Sequence, residues 1–168
     1  FQLVVEDVNV ATIDKILYAT DFSKLSLAAL PLAVDLAKRY DAQLYCVHVL
    51  NAENELFLEG GYMTPVLAAA AFDIAELKQR VQIQLDQFVA EHIGDAVGSV
   101  KKSLLLGKPF VEIIRYARTE GIDLIVLGTH GHSAIASMLL GSVAEKVVRG
   151  APCAVLTVRH PEQQFVAP

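Results

Sequence analysis

Four residues near the end of the chain have the types and spacing needed to bind phosphate. Gly128 and Gly131 are separated by two residues, and nine further residues lead to Gly141 and Ser142. Glycine permits positive φ and lets a phosphate approach the main chain with no Cβ in the way. A helix that opens at Gly141 and Ser142 would add N–H donors without internal partners, and its dipole favours an anion. The spacing therefore predicts an anion site built from backbone donors.

Each of these residues also has an ordinary structural interpretation. A single glycine can end a strand or mark a helix boundary, and Ser142 can be the N-cap of a helix. The Ser142 hydroxyl could cap that helix or contact a phosphate oxygen, but it could not easily do both. The combination of these residues after one apolar strand favours the ligand site.

Asp21 is a second candidate, because it ends the first predicted strand. Its carboxylate could cap the following helix, a role that Ser23 could fill equally well. Ligands of open parallel sheets bind beyond the carboxyl ends of the strands, where the direction of winding reverses. If the first and fourth strands flank that point, Asp21 faces the glycine loop and could accept a hydrogen bond from a base or a ribose hydroxyl.

The sequence lacks the motifs that several other kinds of functional site would need. The turn after the first strand has no glycine, so the dinucleotide fingerprint is absent, and the sequence contains no P-loop. Neither zinc-ligand spacing nor a nucleophile–base arrangement is found, and a phosphoacceptor domain would need more acids beside Asp21. His130 and His132 could contact phosphate when protonated, but as loop histidines they are interpreted as exposed polar residues. His48, within a strand, is interpreted as a buried, hydrogen-bonded imidazole.

The elements that must position these residues alternate along the chain as strands and helices. This order predicts an α/β fold, in which an open five-stranded parallel sheet has helices on both faces. The predicted strands are Lys15–Thr20, Gln43–Leu50, Val100–Leu106, Ile122–Leu127 and Cys153–Val158. The predicted helices are Leu25–Tyr40, Val66–His92, Pro109–Gly121 and Ser142–Arg149. We expect a late start or a kink at Pro31 in the first of them, and Gly94 closes the second.

The remaining segments and the composition complete the sequence prediction. We expect a single domain over residues 1–168 with its core at about 12–159, a loop over Asn51–Pro65, and tails at 1–11 and 160–168, where Leu3–Val5 could add an edge strand. A net charge of −5 argues against a nucleic-acid binder. No apolar run reaches transmembrane length. Cys46 and Cys153 lie in apolar runs, which favours buried free thiols and a cytoplasmic location.

The motifs together resemble those of the universal stress protein family. The nucleotide signature of that family, G-x2-G-x9-G-[ST], is matched by Gly128, Gly131, Gly141 and Ser142 without a gap. The resemblance covers about Thr12 to Arg159. Three further segments look like the family's first strand and turn, second strand end and final strand: Ile16–Ser23, Val47–Val49 and Ala151–Leu156.

The resemblance implies a Rossmann-like fold of the adenine nucleotide alpha hydrolase type, with strand order 3-2-1-4-5, and an ATP site with Mg²⁺ or Mn²⁺. Asp21 and Val49 would hold the adenine end. Leu127, Gly128 and Gly131 would line the ribose and phosphates. The implied nucleotide-binding residues are Ala19, Asp21, Val49, Leu127, Gly128, Gly131, Gly141, Ser142, Val143 and Ala144, of which the last four would receive the phosphate tail through backbone N–H groups. Ala19 stands where some members carry proline, and Ala144 where some carry threonine.

The resemblance also implies a homodimer that pairs through the last strand, Cys153–Val158, and an apolar sheet edge would favour such protection. The function predicted first is an ATP-binding regulator of stress responses with at most weak hydrolysis and no evident catalytic group. Two alternatives stay open at this point. One is an enzyme that cleaves or transfers phosphoryl groups through a metal, with Asp21 as the candidate ligand. The other is a dimeric interaction module that binds no nucleotide.

Overall fold

The computed structural model describes residues 12–51, 74–131 and 140–160. Its strands are β1 Lys15–Ala19, β2 Gln43–Leu50, β3 Val100–Leu106, β4 Leu124–Gly128 and β5 Ala154–Val158. They form one five-stranded sheet in the order β3-β2-β1-β4-β5, and every adjacent pair is parallel. The predicted fold class and strand order are therefore confirmed. The order reverses between β1 and β4, which places the carboxyl ends of these two strands at the switch point.

The helices of the described ranges are α1 Lys24–Leu27, α2 Leu30–Tyr40, α3 Ile74–His92, α4 Pro109–Glu120 and α5 Ser142–Gly150. The helix predicted from Leu25 is divided into α1 and α2, with Pro31 in the first turn of α2. Proline has no N–H, and the first turn is the place where that donor has no helical partner. A late start or a kink was predicted at Pro31, and the structure shows a break there: α2 starts anew at Leu30 after the short helix α1.

Helices cover both faces of the sheet because the strands are apolar on both sides. On one face, Ile16 and Tyr18 of β1 pack in a cluster with α2 and α3 side chains. On the other face, Leu17 and Ala19 pack in a cluster with α4 and α5 side chains. Successive residues of a strand point to opposite faces, so this alternation follows directly from an uninterrupted apolar strand.

Several strand and helix ends differ from the predicted ones by one or two residues, whereas those of β2 and β3 match. Thr20 lies beyond β1, although its N–H still bonds to the Val47 carbonyl at 3.0 Å. β4 starts at Leu124, one residue after Asp123. The Asp123 carboxylate accepts hydrogen bonds from the N–H groups of Asp14 and Lys15, where β1 begins. β5 starts one residue after Cys153. The predicted strand at Leu3–Val5, residues 52–65 of the loop and residues 66–73 of the long helix lie outside the described residues.

The two thiols differ in their surroundings. Cys46 is fully buried, and burial raises the pKa of its thiol from 9.0 to about 12. Cys153 is half-buried, which also raises its pKa, with a smaller contribution from the charge of Asp123. Both cysteines are free, but the predicted burial holds for Cys46 and not for Cys153. Across the described ranges, no helix combines the length and the apolar character needed to cross a membrane.

Candidate functional site

The carboxyl ends of β1, β2 and β4 bring the candidate residues to one edge of the sheet. Ala19 of β1 lies between Val47 of β2 and Leu127 of β4 in the strand register. Ala19 and Leu127 are buried, whereas Val49, two residues further along β2, is half-buried at the edge. These positions form the floor of the crevice at the switch point.

Asp21 lies directly against Gly131. A Cβ placed on Gly131 would collide with the Asp21 Oδ2, and the rest of that carboxyl group lies within van der Waals distance of the same point. The turn after β1 and the loop after β4 therefore meet across the crevice. This contact brings together the candidate for the adenine end and the candidate for the phosphate end of a nucleotide.

The other Asp21 oxygen stabilises the turn after β1. Oδ1 accepts a hydrogen bond from the Ser23 N–H at 3.0 Å. Ser23 in turn is the N-cap of α1, because its Oγ accepts from the Ser26 N–H at 3.1 Å. The alternative in which Asp21 caps the helix is therefore wrong, and Ser23 fills that role. The Asp21 side chain is oriented by a local hydrogen bond and presents Oδ2 to Gly131.

The glycines of the signature serve close approach and not positive φ. None of Gly128, Gly131 and Gly141 has φ in the left-handed region, so that part of the expectation is wrong. A Cβ on Gly128 would lie 2.7 Å from the Leu25 carbonyl oxygen, where the backbone of α1 crosses the end of β4. A Cβ on Gly141 would lie 3.2 Å from the Thr129 carbonyl oxygen. The absence of a side chain is what each position requires.

α5 begins with backbone N–H groups that have no acceptor within the helix. Its N-cap is Gly141, with φ −67° and ψ 158°, and among the described residues no side chain caps this end. Ser142 is consequently the first helical residue and is exposed, so the interpretation of Ser142 as an N-cap is wrong. The N–H groups of Ser142, Val143 and Ala144 lie in the first turn, where the helix itself offers no acceptor. The dipole of the helix adds partial positive charge at the same point.

Hydrogen bonds hold both ends of the glycine loop together. The Gly141 N–H donates to the Thr129 carbonyl at 2.8 Å, and the Thr129 N–H donates to the Val158 carbonyl of β5 at 2.8 Å. His130 is only 9% exposed, and its Nδ1 lies 3.1 Å from Thr129 Oγ1. The interpretation of His130 as exposed polar surface is therefore wrong, because the returning chain at Gly141 covers it. His132 lies outside the described residues.

The rings of His48 and Phe22 lie beside the turn that carries Asp21. His48 is 9% exposed and hydrogen-bonded through Nδ1 to the Thr20 carbonyl at 2.9 Å, as predicted for a buried imidazole. Phe22 stacks on the His48 ring and was not predicted from the sequence. An aromatic residue after an aspartate gives no signal of its own, because the stacking partner is 26 residues away in the chain.

The chemistry available here is anion binding by backbone donors beside one carboxylate. Among residues 12–51, 74–131 and 140–160, no three His, Cys, Asp or Glu side chains are grouped closely enough to hold a metal ion. A nucleoside triphosphate fits these groups: its phosphates would meet the N–H donors of α5, and its hydroxyl or amino donors would meet Asp21.

A family model, related sequences and solved structures all indicate the same family for this chain. A sequence model of the universal stress protein family matches residues 12–159. Universal stress protein MJ0531 of Methanocaldococcus jannaschii is 32% identical over 161 residues, which cover 89% of this chain and 84% of the relative. The solved structure of universal stress protein UspA from Lactobacillus plantarum is 30% identical with a TM-score of 0.64, covering 89% of this chain and all of that one.

Other solved structures with this fold contain nucleotides. One is described as a universal stress protein in complex with cAMP, at 22% identity and a TM-score of 0.63. Another is the universal stress protein from Archaeoglobus fulgidus in complex with dAMP, at 21% identity and a TM-score of 0.53. They cover 89% and 88% of this chain, and 98% of each of those chains. At these identities the likeness establishes the shared fold.

Proposed function

The chain belongs to the universal stress protein family, and we propose that it binds an adenine nucleotide, ATP, at the carboxyl edge of the sheet and acts as a nucleotide-dependent regulator in stress responses. The observation that carries the proposal is the contact of Asp21 with Gly131 beside the start of α5, which no side chain of the described residues caps. One feature suits a nucleoside and the other a phosphate, and they lie on opposite sides of one crevice. Nucleotides in the related structures support the same class of ligand.

In this proposal each part of the crevice binds one part of ATP. Asp21 and Val49 hold the adenine end, above the buried Ala19. Leu127, Gly128 and Gly131 line the ribose and the first phosphates. The phosphate tail is bound by backbone N–H groups of the chain entering α5, at Gly141, Ser142, Val143 and Ala144.

Ala144 limits the strength of the phosphate site. Its side chain is 3% exposed and packs in the apolar cluster beneath α4 and α5. It therefore contributes its N–H and no hydroxyl. A divalent ion, Mg²⁺ or Mn²⁺, would then be held chiefly by phosphate oxygens and water, as is usual for Mg²⁺ bound with a nucleotide.

The proposal is tested by the nucleotide content and the ATP affinity of the purified protein. We expect protein purified without added nucleotide to release an adenine nucleotide on denaturation, identified by chromatography and mass. We expect the emptied protein to bind ATP in a calorimetric titration, more tightly with Mg²⁺ than without it, because the ion offsets phosphate charge that backbone donors neutralise only in part. GTP serves as the control for the base. Absence of both released nucleotide and titratable heat would mean that the proposal is wrong.

We further propose that two chains pair through β5, at one edge of the described sheet. Its side chains at Val155, Leu156 and Val158 are apolar and half-buried. An edge strand of this composition is normally covered, because its unpaired N–H and C=O groups invite pairing with another strand. A cytoplasmic location is proposed as well, on the free thiols of Cys46 and Cys153.

Thr157→Pro tests the dimer. The Val158 carbonyl accepts from Thr129 on the β4 side, so the Thr157 N–H points to the outer edge, since backbone groups alternate along a strand. Proline there removes an outer donor and is tolerated on an edge strand. We expect Thr157→Pro to convert the dimer to monomer in sedimentation or light-scattering measurements. Thr157→Val, which keeps the N–H, should stay dimeric, and an unchanged mass for Thr157→Pro would contradict pairing through β5.

A further inference from the structure

Phe22 has a backbone conformation that its residue type disfavours. Its φ is +63°, and the other non-glycine residue with positive φ in the described ranges is Asp41, at +52°. Asp41 ends α2, where a left-handed residue is ordinary and an aspartate tolerates it. Phe22 follows a strand and carries a large ring, for which this conformation is a genuine outlier. Such strain persists only where the surroundings enforce it.

Aromatic packing is what holds the Phe22 ring. The ring stacks on His48 with the centroids 4.2 Å apart and an interplanar angle of 20°, and the centroid of the tilted Phe88 ring lies 5.5 Å away. His48 cannot turn away, because its Nδ1 lies 2.9 Å from the Thr20 carbonyl oxygen. A carbonyl oxygen only accepts, so Nδ1 donates and the ring orientation is fixed. The stack is therefore anchored to the residue that precedes Asp21.

The backbone on both sides of Asp21 is fixed by the same group of residues. The Phe22 N–H donates to Thr20 Oγ1 at 3.0 Å, and that hydroxyl lies 3.1 Å from Ser26 Oγ. The Ser23 N–H bonds to the Asp21 carboxylate itself. Asp21 thus lies between two residues that cannot rotate independently, and its Oδ2 is directed at Gly131.

We infer that Phe22, stacked on His48, is a positioning residue that sets the Asp21 carboxylate against Gly131 and thereby determines affinity for the nucleoside part of the ligand. The inference rests on the proposed nucleotide-binding function. It assigns Phe22 no contact with the ligand. Its effect passes through Asp21, because ordering a carboxylate before binding removes an entropy cost that the ligand would otherwise bear.

The test separates the effect of the Phe22 ring from the effect of the backbone conformation at this residue. Phe22→Gly adopts φ +63° without strain but removes the ring, whereas Phe22→Tyr keeps the ring. We expect Phe22→Gly to weaken ATP binding about three- to tenfold, the cost of leaving one side chain unordered. Phe22→Tyr should bind ATP as the wild type does. Inorganic tripolyphosphate, which has no nucleoside, should bind to the wild type and to Phe22→Gly equally well.

The same measurements in an Asp21→Ala background separate positioning from general destabilisation. If Phe22 acts through Asp21, adding Phe22→Gly to Asp21→Ala causes no further loss of ATP affinity. His48→Leu removes the stacking partner and keeps Phe22, so it should give the same selective loss and covers the case in which Phe22→Gly fails to fold. Three results would overturn the inference. The first is wild-type ATP affinity in Phe22→Gly or His48→Leu, and the second is a loss of tripolyphosphate affinity as large as the loss of ATP affinity. The third is an additive loss of ATP affinity in the Asp21→Ala, Phe22→Gly double variant. If the wild-type protein does not bind ATP, whether or not it binds tripolyphosphate, the proposed function is overturned as well.

Discussion

We expect Gly131→Val to lower ATP affinity about a hundredfold, equivalent to about 3 kcal/mol of binding free energy, and to leave the melting transition near that of the wild type. The reason is the position of Asp21, whose Oδ2 lies where a Cβ on Gly131 would be placed. A branched side chain at Gly131 must push this carboxylate aside and also fill the space through which a phosphate approaches the backbone. Both halves of the proposed site are damaged by one substitution.

The fold tolerates this substitution better than the site does. The colliding atoms belong to the end of the Asp21 side chain and not to backbone, so relieving the collision costs at most the hydrogen bond that Oδ1 accepts from the Ser23 N–H, about 1 kcal/mol. The matched control is Gly98→Val, because Gly98 has an ordinary φ like Gly131, is exposed to solvent, and a Cβ there meets nothing within 4 Å. Calorimetric titration and thermal melts of both variants decide the matter. A folded Gly131→Val protein with wild-type ATP affinity would refute the proposed site.

The sheet could be predicted from sequence because its inner strands are apolar on both faces. β2 and β3 were predicted with their observed ends, since turn residues such as Gly98 and Gly107 flank the strand runs. Pro109 and Gly121 fix both ends of α4 for local reasons: proline suits the first turn, and Gly121 takes φ +64° at the C-cap. Such signals act within a few residues, so they can be read directly from the chain.

Features that depend on distant contacts could not be predicted in this way. The burial of His130 results from the return of the chain at Gly141, which no local pattern encodes. The left-handed conformation of Phe22 depends on a ring stack with His48 of the neighbouring strand. Sequence alone favours neither feature, because an exposed histidine and an extended phenylalanine are the commoner states.

The glycine signature could be predicted only in part from the sequence. Its spacing indicated correctly that Gly128, Gly131 and Gly141 would gather at the end of β4. The physical requirement at each position is different, however: backbone of α1 at the first, a carboxylate at the second and a loop carbonyl at the third. A motif thus records that small residues are needed without recording what approaches them. The different neighbours predict different consequences of substitution.

Gly128→Ala is expected to lower the free energy of unfolding by about 2 to 3 kcal/mol, unlike the substitution at Gly131. The added Cβ would lie 2.7 Å from the Leu25 carbonyl oxygen, 3.0 Å from the His130 carbonyl oxygen and 3.1 Å from the Ser26 Cα. All three atoms are backbone. The chain at Ser26 cannot retreat easily, because its carbonyl accepts from the buried Tyr18 hydroxyl at 3.1 Å.

Denaturant unfolding of Gly128→Ala beside Gly98→Ala checks this expectation. The same chemical change at Gly98 meets open space and ordinary φ, so it should leave stability unchanged or slightly raised by the loss of unfolded-state entropy. Moving α1 away from β4 also moves the turn that carries Asp21, so ATP affinity should fall together with stability at Gly128. Equal midpoints for the two variants would show that α1 does not pack on β4 as closely as described. Lost affinity at full stability would instead make Gly128, like Gly131, a position where the ligand and not the fold excludes a side chain.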